Sequence, residues 1–237
     1  MPDFALEAER SRSQKLALRR KLLLARGSLT DEARRQAAEA VQAELLSLVR
    51  RLPPKERTPG AADPAPPGRA PDGMEPVPAH QLTVTAYVPI GAEPGGPDLP
   101  EALARVLPSG ADLLLPVLLD DGDLDWARYT GPDSLRPGPR GLREPVGPRL
   151  GVTVITGADL VIVPALAVDR SGRRLGRGGG SYDRALARLT PATWTVALLH
   201  DGELMAAVPA EAHDRRVRAA ISPGGGLTLM AGEEWTK

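Results

Sequence analysis

Apolar residues recur along this chain with two periods, and the periods alternate. Residues 9–26 are charged and Leu-rich, with Leu16, Leu22, Leu23 and Leu24 as apolar positions for a helix that Gly27 stops. Thr30 is a good N-cap, Asp31 and Glu32 suit a first turn, and Ala37, Val41, Leu45, Leu48 and Leu52 follow at steps of three and four. That spacing predicts an amphipathic core helix. Residues 82–89, LTVTAYVP, read as a strand, 98–107 as a helix and 112–119, DLLLPVLL, as a buried strand. Residues 159–168 form a nearly continuous Val- and Leu-rich run, the pattern of a strand buried on both faces. From Tyr182 the spacing is helical again, with Ala185, Leu186 and Leu189. Residues 193–199 read as a strand, 203–208 as a short helix, 218–222 as a last strand and 224–237 as a loose tail. Helices and strands in alternation predict an α/β fold.

Residues 53–78 break the pattern. They are dominated by Pro, Gly, Ala and charge, cannot build a core, and are expected to be a disordered insertion within one domain spanning 1–237. The helices before them have too little apolar surface to stand alone as a domain.

Composition narrows the chemistry. The 237 residues carry 30 Lys+Arg and 30 Asp+Glu, a balance unlike that of a wholly basic nucleic-acid binder, and no basic stripe interleaves with aromatics. There is no cysteine, so disulfides and thiolate metal sites are excluded. No run is long enough to cross a membrane, and residues 1–20 lack the apolar core of a signal peptide, so a cytoplasmic protein is expected. Four aspartates in residues 120–125 do not make a calcium loop, because neither the required spacing nor a closing Glu is present. They read as an acidic turn, with Trp126 and Tyr129 packing or lining a pocket.

The strongest chemical signal follows the strand at 159–168. Arg170, Arg173, Arg174 and Arg177 interleave with Gly172, Gly176, Gly178, Gly179 and Gly180 before a helix begins. Glycines admit a ligand close to the backbone, and arginines add charge-assisted donors. Strand, basic glycine loop and helix together form an anion site, most naturally for a polyphosphate. The P-loop pattern fails for want of a Lys, and a dinucleotide fingerprint starting at Gly176 and Gly178 meets Ser181 where its third glycine belongs. A carboxylate just past a strand end, Glu93, stands where open α/β sheets place ligand contacts.

Residues 174–184, Arg-Leu-Gly-Arg-Gly-Gly-Gly-Ser-Tyr-Asp-Arg, after a strand ending Val-Pro-Ala-Leu-Ala-Val-Asp at 163–169, resemble the signature of the 5-formyltetrahydrofolate cyclo-ligase (methenyltetrahydrofolate synthetase) family. The resemblance implies a three-layer α/β/α fold with a mainly parallel sheet. It implies an ATP- and Mg²⁺-dependent closure of 5-formyltetrahydrofolate to 5,10-methenyltetrahydrofolate, in a protein expected to be a monomer.

By the same resemblance, Lys15 and Arg19 form a Lys-x-x-x-Arg element that joins Arg174, Gly176, Arg177, Gly178, Gly179, Gly180 and Tyr182 around ATP. Glu93, Trp126, Ser181 and Tyr182 are the expected folate contacts. Arg177 and Asp183 are expected to serve catalysis, and Asp183 and Asp214 to ligate the metal. A Gly-x-x-Glu-Pro element at 141–145 is expected to shape the cleft, with Glu144 a candidate to face it. The chain departs from many members at Gly179, where they carry Lys, and at Ser181, where they carry an aromatic. Those departures leave open a non-catalytic folate- or nucleotide-binding regulator on the same fold. An unrelated small-molecule kinase with the same anion loop is the other alternative.

Overall fold

The computed structural model describes residues 3–52, 81–211 and 214–233, with side chains from residue 9 onward. The expected insertion at 53–78 lies outside the described residues. The chain forms α1 (Asp3–Gly27), α2 (Asp31–Arg50), β1 (Thr83–Thr85), α3 (Leu99–Val106), β2 (Asp112–Leu118), β3 (Leu124–Arg128), β4 (Leu135–Pro137) and β5 (Arg143–Pro145). It continues through β6 (Leu160–Pro164), β7 (Ala167–Asp169), β8 (Arg174–Leu175), α4 (Ser181–Leu186), β9 (Trp194–Leu198), β10 (Leu204–Met205), β11 (Ala219–Ser222) and β12 (Gly226–Leu229).

Seven strands make one sheet in the order β12-β11-β9-β6-β1-β2-β3. Its five central strands are parallel, and β12 and β3 pair antiparallel at the edges. Period-two alternation sorts their side chains into two cores. Leu160 and Ile162 of β6, Val196 of β9 and Ile221 of β11 join Leu45 and Leu48 of α2 and Leu103 of α3. Val161 and Val163, Ala197 and Ala220 face the other way, against Ala185 and Leu186 of α4 and Ile155. The result is the expected three-layer α/β architecture, with α2 and α3 on one face and α4 on the other. Thr30 caps α2 as expected, its hydroxyl accepting the Ala33 N–H at 3.1 Å.

Several local expectations need correction. The acidic stretch is not only a turn: Leu124–Arg128 is an edge strand on β2. Its aspartates are spent locally, Asp123 on Arg188 and Asp125 on the Trp126 and Gly151 N–H groups. Residues 204–205 are a strand rather than helix, because they pair with β7 in a second, three-stranded sheet β10-β7-β8. The run at 159–168 is two strands, β6 and β7, since Leu166 leaves the large sheet and its N–H bonds to Leu175 O. The tail supplies β12, which hydrogen-bonds back along β11.

Helix α1 differs most from its apolar pattern. Leu16, Leu23 and Leu24 are exposed. The stripe turned to the protein is Ser11, Lys15, Leu18, Arg19, Leu22 and Arg26, a helical spacing occupied half by cations. Leu22, with Leu18 behind it, packs on Leu175 of the small sheet and on Leu166 and Val208 beside it.

Candidate active site

The carboxyl ends of β1, β2 and β6 open into a cleft of about 320 Å³, roofed by α1, the glycine loop before α4 and the hairpin β4–β5. Lys15, Arg19, Glu93, Arg174, Asp183 and Asp214 all line it, as do Gly176–Gly180, Arg177, Ser181 and Tyr182. Residues drawn from four separated stretches of sequence therefore meet in one place, as the sequence reading expects.

Helix α1 brings its cations to one end. Lys15, 5% exposed, holds Asp214 at 2.7 Å and Glu211 at 3.0 Å. Arg19 donates from Nε to the carbonyl of Gly176 at 2.9 Å, which ties the helix to the loop. Gly178 needs its freedom here: it has φ +103°, and a Cβ on it would meet the Arg19 guanidinium at 3.4 Å. Arg174 is buried and spans the loop's base, donating to Pro164 O and to Asp183 Oδ1, the latter at 2.9 Å. Asp183 Oδ1 also accepts the Arg215 N–H at 3.1 Å.

The other end holds a buried carboxylate. Glu93 sits in the loop after β1, with the Ile90 N–H on Oε2 at 3.0 Å and Arg177 Nε at 3.1 Å from Oε1. Burial pushes its pKa up, against the pull of the Ile90 N–H and Arg177. Tyr182 is half-buried beside it, its ring 6.0 Å from the Arg174 guanidinium and its buried hydroxyl without a hydrogen-bond partner among the described residues. Burial, with Glu93 nearby, keeps that hydroxyl protonated far into alkali.

Trp126 is not part of this surface. It is fully buried between the sheet and α4, its indole in the second core and absent from the cleft wall. The expected folate contact is a packing residue: Trp126 shares its face of β3 with Leu124, and of the two only Leu124 reaches the cleft wall. Glu144 also turns away: Oε1 accepts the Leu118 N–H at 2.9 Å and braces the hairpin, and Arg140, Leu142 and Arg143 line the cleft instead.

Sequence reasoning missed Arg26. It is 4% exposed and makes a double bond pattern to Glu203, with Nε on Oε1 and Nη2 on Oε2, both 2.7 Å. Glu203 also accepts the His200 N–H, and His200 Nε2 lies 2.9 Å from Ala92 O. Tyr87 OH donates to Pro94 O at 2.8 Å. The loop carrying Glu93 is thus held on both flanks. The only signal in the sequence was an arginine recurring at the helical spacing of Lys15 and Arg19.

Comparison with known proteins identifies the family. The model of the 5-formyltetrahydrofolate cyclo-ligase family matches residues 78–223. A 5-formyltetrahydrofolate cyclo-ligase of Mycolicibacterium smegmatis is 43% identical over 153 residues, 62% of this chain and 77% of that one. One from Escherichia coli (strain K12) is 32% identical over 144 residues, 60% and 78% of the two chains. The solution structure of Aquifex aeolicus 5,10-methenyltetrahydrofolate synthetase superposes with a TM-score of 0.65 at 25% identity, covering 94% of this chain and 96% of that one. A 5,10-methenyltetrahydrofolate synthetase from Mycoplasma pneumoniae shares the fold, with a TM-score of 0.59 at 17% identity over 88% of this chain and 98% of that one. The family match spans more than half of the residues, and the relatives are covered over more than three quarters of their length. The chain belongs to the 5-formyltetrahydrofolate cyclo-ligase family.

Proposed function

We propose that the cleft binds ATP at its cationic end and 5-formyltetrahydrofolate at its Glu93 end, and that it closes the folate to 5,10-methenyltetrahydrofolate with release of ADP and phosphate. The observation that carries this reading is the placement of a basic glycine loop and a buried carboxylate in one cleft, 3.1 Å apart at Arg177 and Glu93. The formyl oxygen attacks the γ-phosphorus and ADP leaves. N10 attacks the activated formyl carbon, loses its proton, and the carbon–oxygen bond breaks with departure of phosphate. No protein nucleophile is needed, which suits a chain without cysteine.

Each step needs placement and charge rather than covalent catalysis. Lys15, Arg19 and Arg174 and the N–H groups of Gly178–Gly180 supply positive potential for the phosphates. Arg177 stands where the transferred phosphoryl group and the folate meet. Glu93 is shaped to accept N–H donors of a flat heterocycle, and Tyr182 and Ser181 wall the same end.

Asp183 and Asp214 suit Mg²⁺: both are oxygen donors lining the cleft, each beside the cation that balances it. No cluster of three or more His, Cys, Asp or Glu exists among the described residues, so water and phosphate would complete the coordination. When bound, the ion would draw charge from the phosphates; Asp183 and Asp214 would orient it.

No helix among the described residues is long and apolar enough to cross a membrane. We read the chain as one domain, acting as a cytoplasmic monomer on two small molecules, without nucleic acid or membrane. The test is the absorbance of methenyltetrahydrofolate formed from 5-formyltetrahydrofolate with Mg-ATP and with ATP omitted. ATP-dependent product is expected. Calorimetric binding of both ligands without product would instead identify a non-catalytic regulator, and binding of ATP alone an unrelated kinase.

A further inference from the structure

The rim of the cleft carries two arginines that the proposed chemistry does not use. Arg140 and Arg143 belong to the β4–β5 hairpin, are exposed, and line the cleft. The other cations there are engaged: Lys15 by Asp214, Arg174 by Asp183, Arg177 by Glu93 and Arg26 by Glu203, while Arg19 donates to the Gly176 carbonyl. Among the described residues no carboxylate lies within ion-pair distance of Arg140 or Arg143.

The hairpin holds Arg140 in an unfavourable shape. At φ +57° and ψ +25° it is the one non-glycine residue with positive φ among those described, a conformation costing about 1 kcal/mol. The surroundings enforce it. The Gly138 N–H donates to Leu142 O at 2.8 Å. The Gly138 backbone lies so close to Glu144 that a Cβ would fall 2.7 Å from that carboxyl carbon. Glu144 itself is bonded to β2 through Leu118. The Arg140 guanidinium then stands 4.0 Å from where a side chain on Gly179 would begin. Strain held in place by a braced turn is characteristic of ligand clamps.

The wall that the hairpin shares with β2 and β3 is apolar, made of Pro116, Leu118, Leu124 and Leu142. Leu142 sits between Arg140 and Arg143 in the chain. Apolar wall followed by unmatched cations fits a ligand with an aromatic body followed by carboxylates. A tetrahydrofolate has that order beyond its pterin: a benzoyl ring, then glutamate. We infer that Arg140 and Arg143 bind the glutamate carboxylates of the folate substrate. This rests on the folate reading of the cleft, and assigns the hairpin a part in substrate choice rather than in phosphate transfer.

The probe is N-(4-aminobenzoyl)-L-glutamate, which carries the ring and both carboxylates without pterin or formyl group. Its binding to the full chain is followed by NMR or calorimetry, independently of turnover, with 4-aminobenzamide as the uncharged control. Arg143→Ala and Arg140→Gly are the variants; the second also relieves the positive-φ strain, so weakened binding there is not a folding defect. The parent should bind the probe and not the control, and the double variant should bind it about tenfold more weakly, the scale of a lost charge-assisted contact. In the activity assay the KM for 5-formyltetrahydrofolate should rise with little change in the KM for ATP. Unchanged probe binding, or a rise confined to the KM for ATP, overturns the inference; the latter would give the arginines to the phosphates. Parent activity on 5-formyltetrahydrofolate reports separately on the proposed function.

Discussion

Arg177 Nε and Glu93 Oε1 meet at 3.1 Å, and the two partners are unequal: the Glu93 side chain is 8% exposed and that of Arg177 is 51% exposed. The carboxylate is fixed and the guanidinium is free to leave. An arginine on a glycine loop that rests on Glu93 can turn to phosphate when ATP binds. The two ligands would then share one charged group.

Replacing Glu93 by Gln should separate binding from stability. Its carboxyl has a raised pKa in the folded protein, chiefly through burial, so folding favours the protonated form. Stability from this group is present below about pH 4.5 and is lost as pH rises through the folded pKa. Glu93→Gln lacks that loss. Thermal denaturation should therefore show a higher Tm than the parent at pH 8 and no difference at pH 4, together with weaker folate binding. A lower Tm at pH 8 would mean that the half-exposed Arg177 pair outweighs burial.

Arg177→Ala and Asp183→Asn should each reduce turnover about 100-fold, the scale of removing one preorganised charge from a transition state. Circular dichroism should remain that of the parent. Parent-like turnover in both variants would remove the site assignment.

Arg26→Ala should act through the fold. It leaves Glu203 buried without its cation, a loss of about 3–5 kcal/mol. For a chain of this length that is about 10 °C in Tm, read by calorimetry. A drop in turnover with an unchanged Tm would contradict this structural role.

Gly178→Ala should raise the KM for ATP. The residue has φ +103°, a conformation strained for any side chain, and an added methyl would come into contact with the Arg19 guanidinium. About 1 kcal/mol of stability should go with it. Steady-state kinetics at varied ATP checks the first, and urea unfolding the second.

Legibility in the sequence followed the kind of force involved. Helix α2 and strands β2, β6 and β9 were readable because burial there is apolar and periodic. Strand β3 was obscured by aspartates that serve its own turn and the neighbouring Arg188. Strands β10 and β12 are partly exposed and only two and four residues long, held by pairing that no local pattern reports. In the site, the glycine loop and the Lys15–Arg19 spacing stood out through the family resemblance. Trp126 misled because residue type says what a ring can do, whereas its depth beneath the second core decides what it can touch. Arg26 escaped because a buried cation looks, in sequence, like any solvated one.

Helix α1 gives that last point a wider bearing. What fastens it is mostly charge on charge and charge on carbonyl: Lys15 to Asp214, Arg19 to Gly176, Arg26 to Glu203. Little oil is uncovered if residues 9–20 lift, so this stretch of the helix should open well below the free energy that melts the sheet. Nucleotide lodged between Lys15, Arg19 and the glycine loop would act as the mortar. Amide exchange along residues 9–20 should then slow when ATP is added, and the phosphate site would be a joint completed by its own ligand.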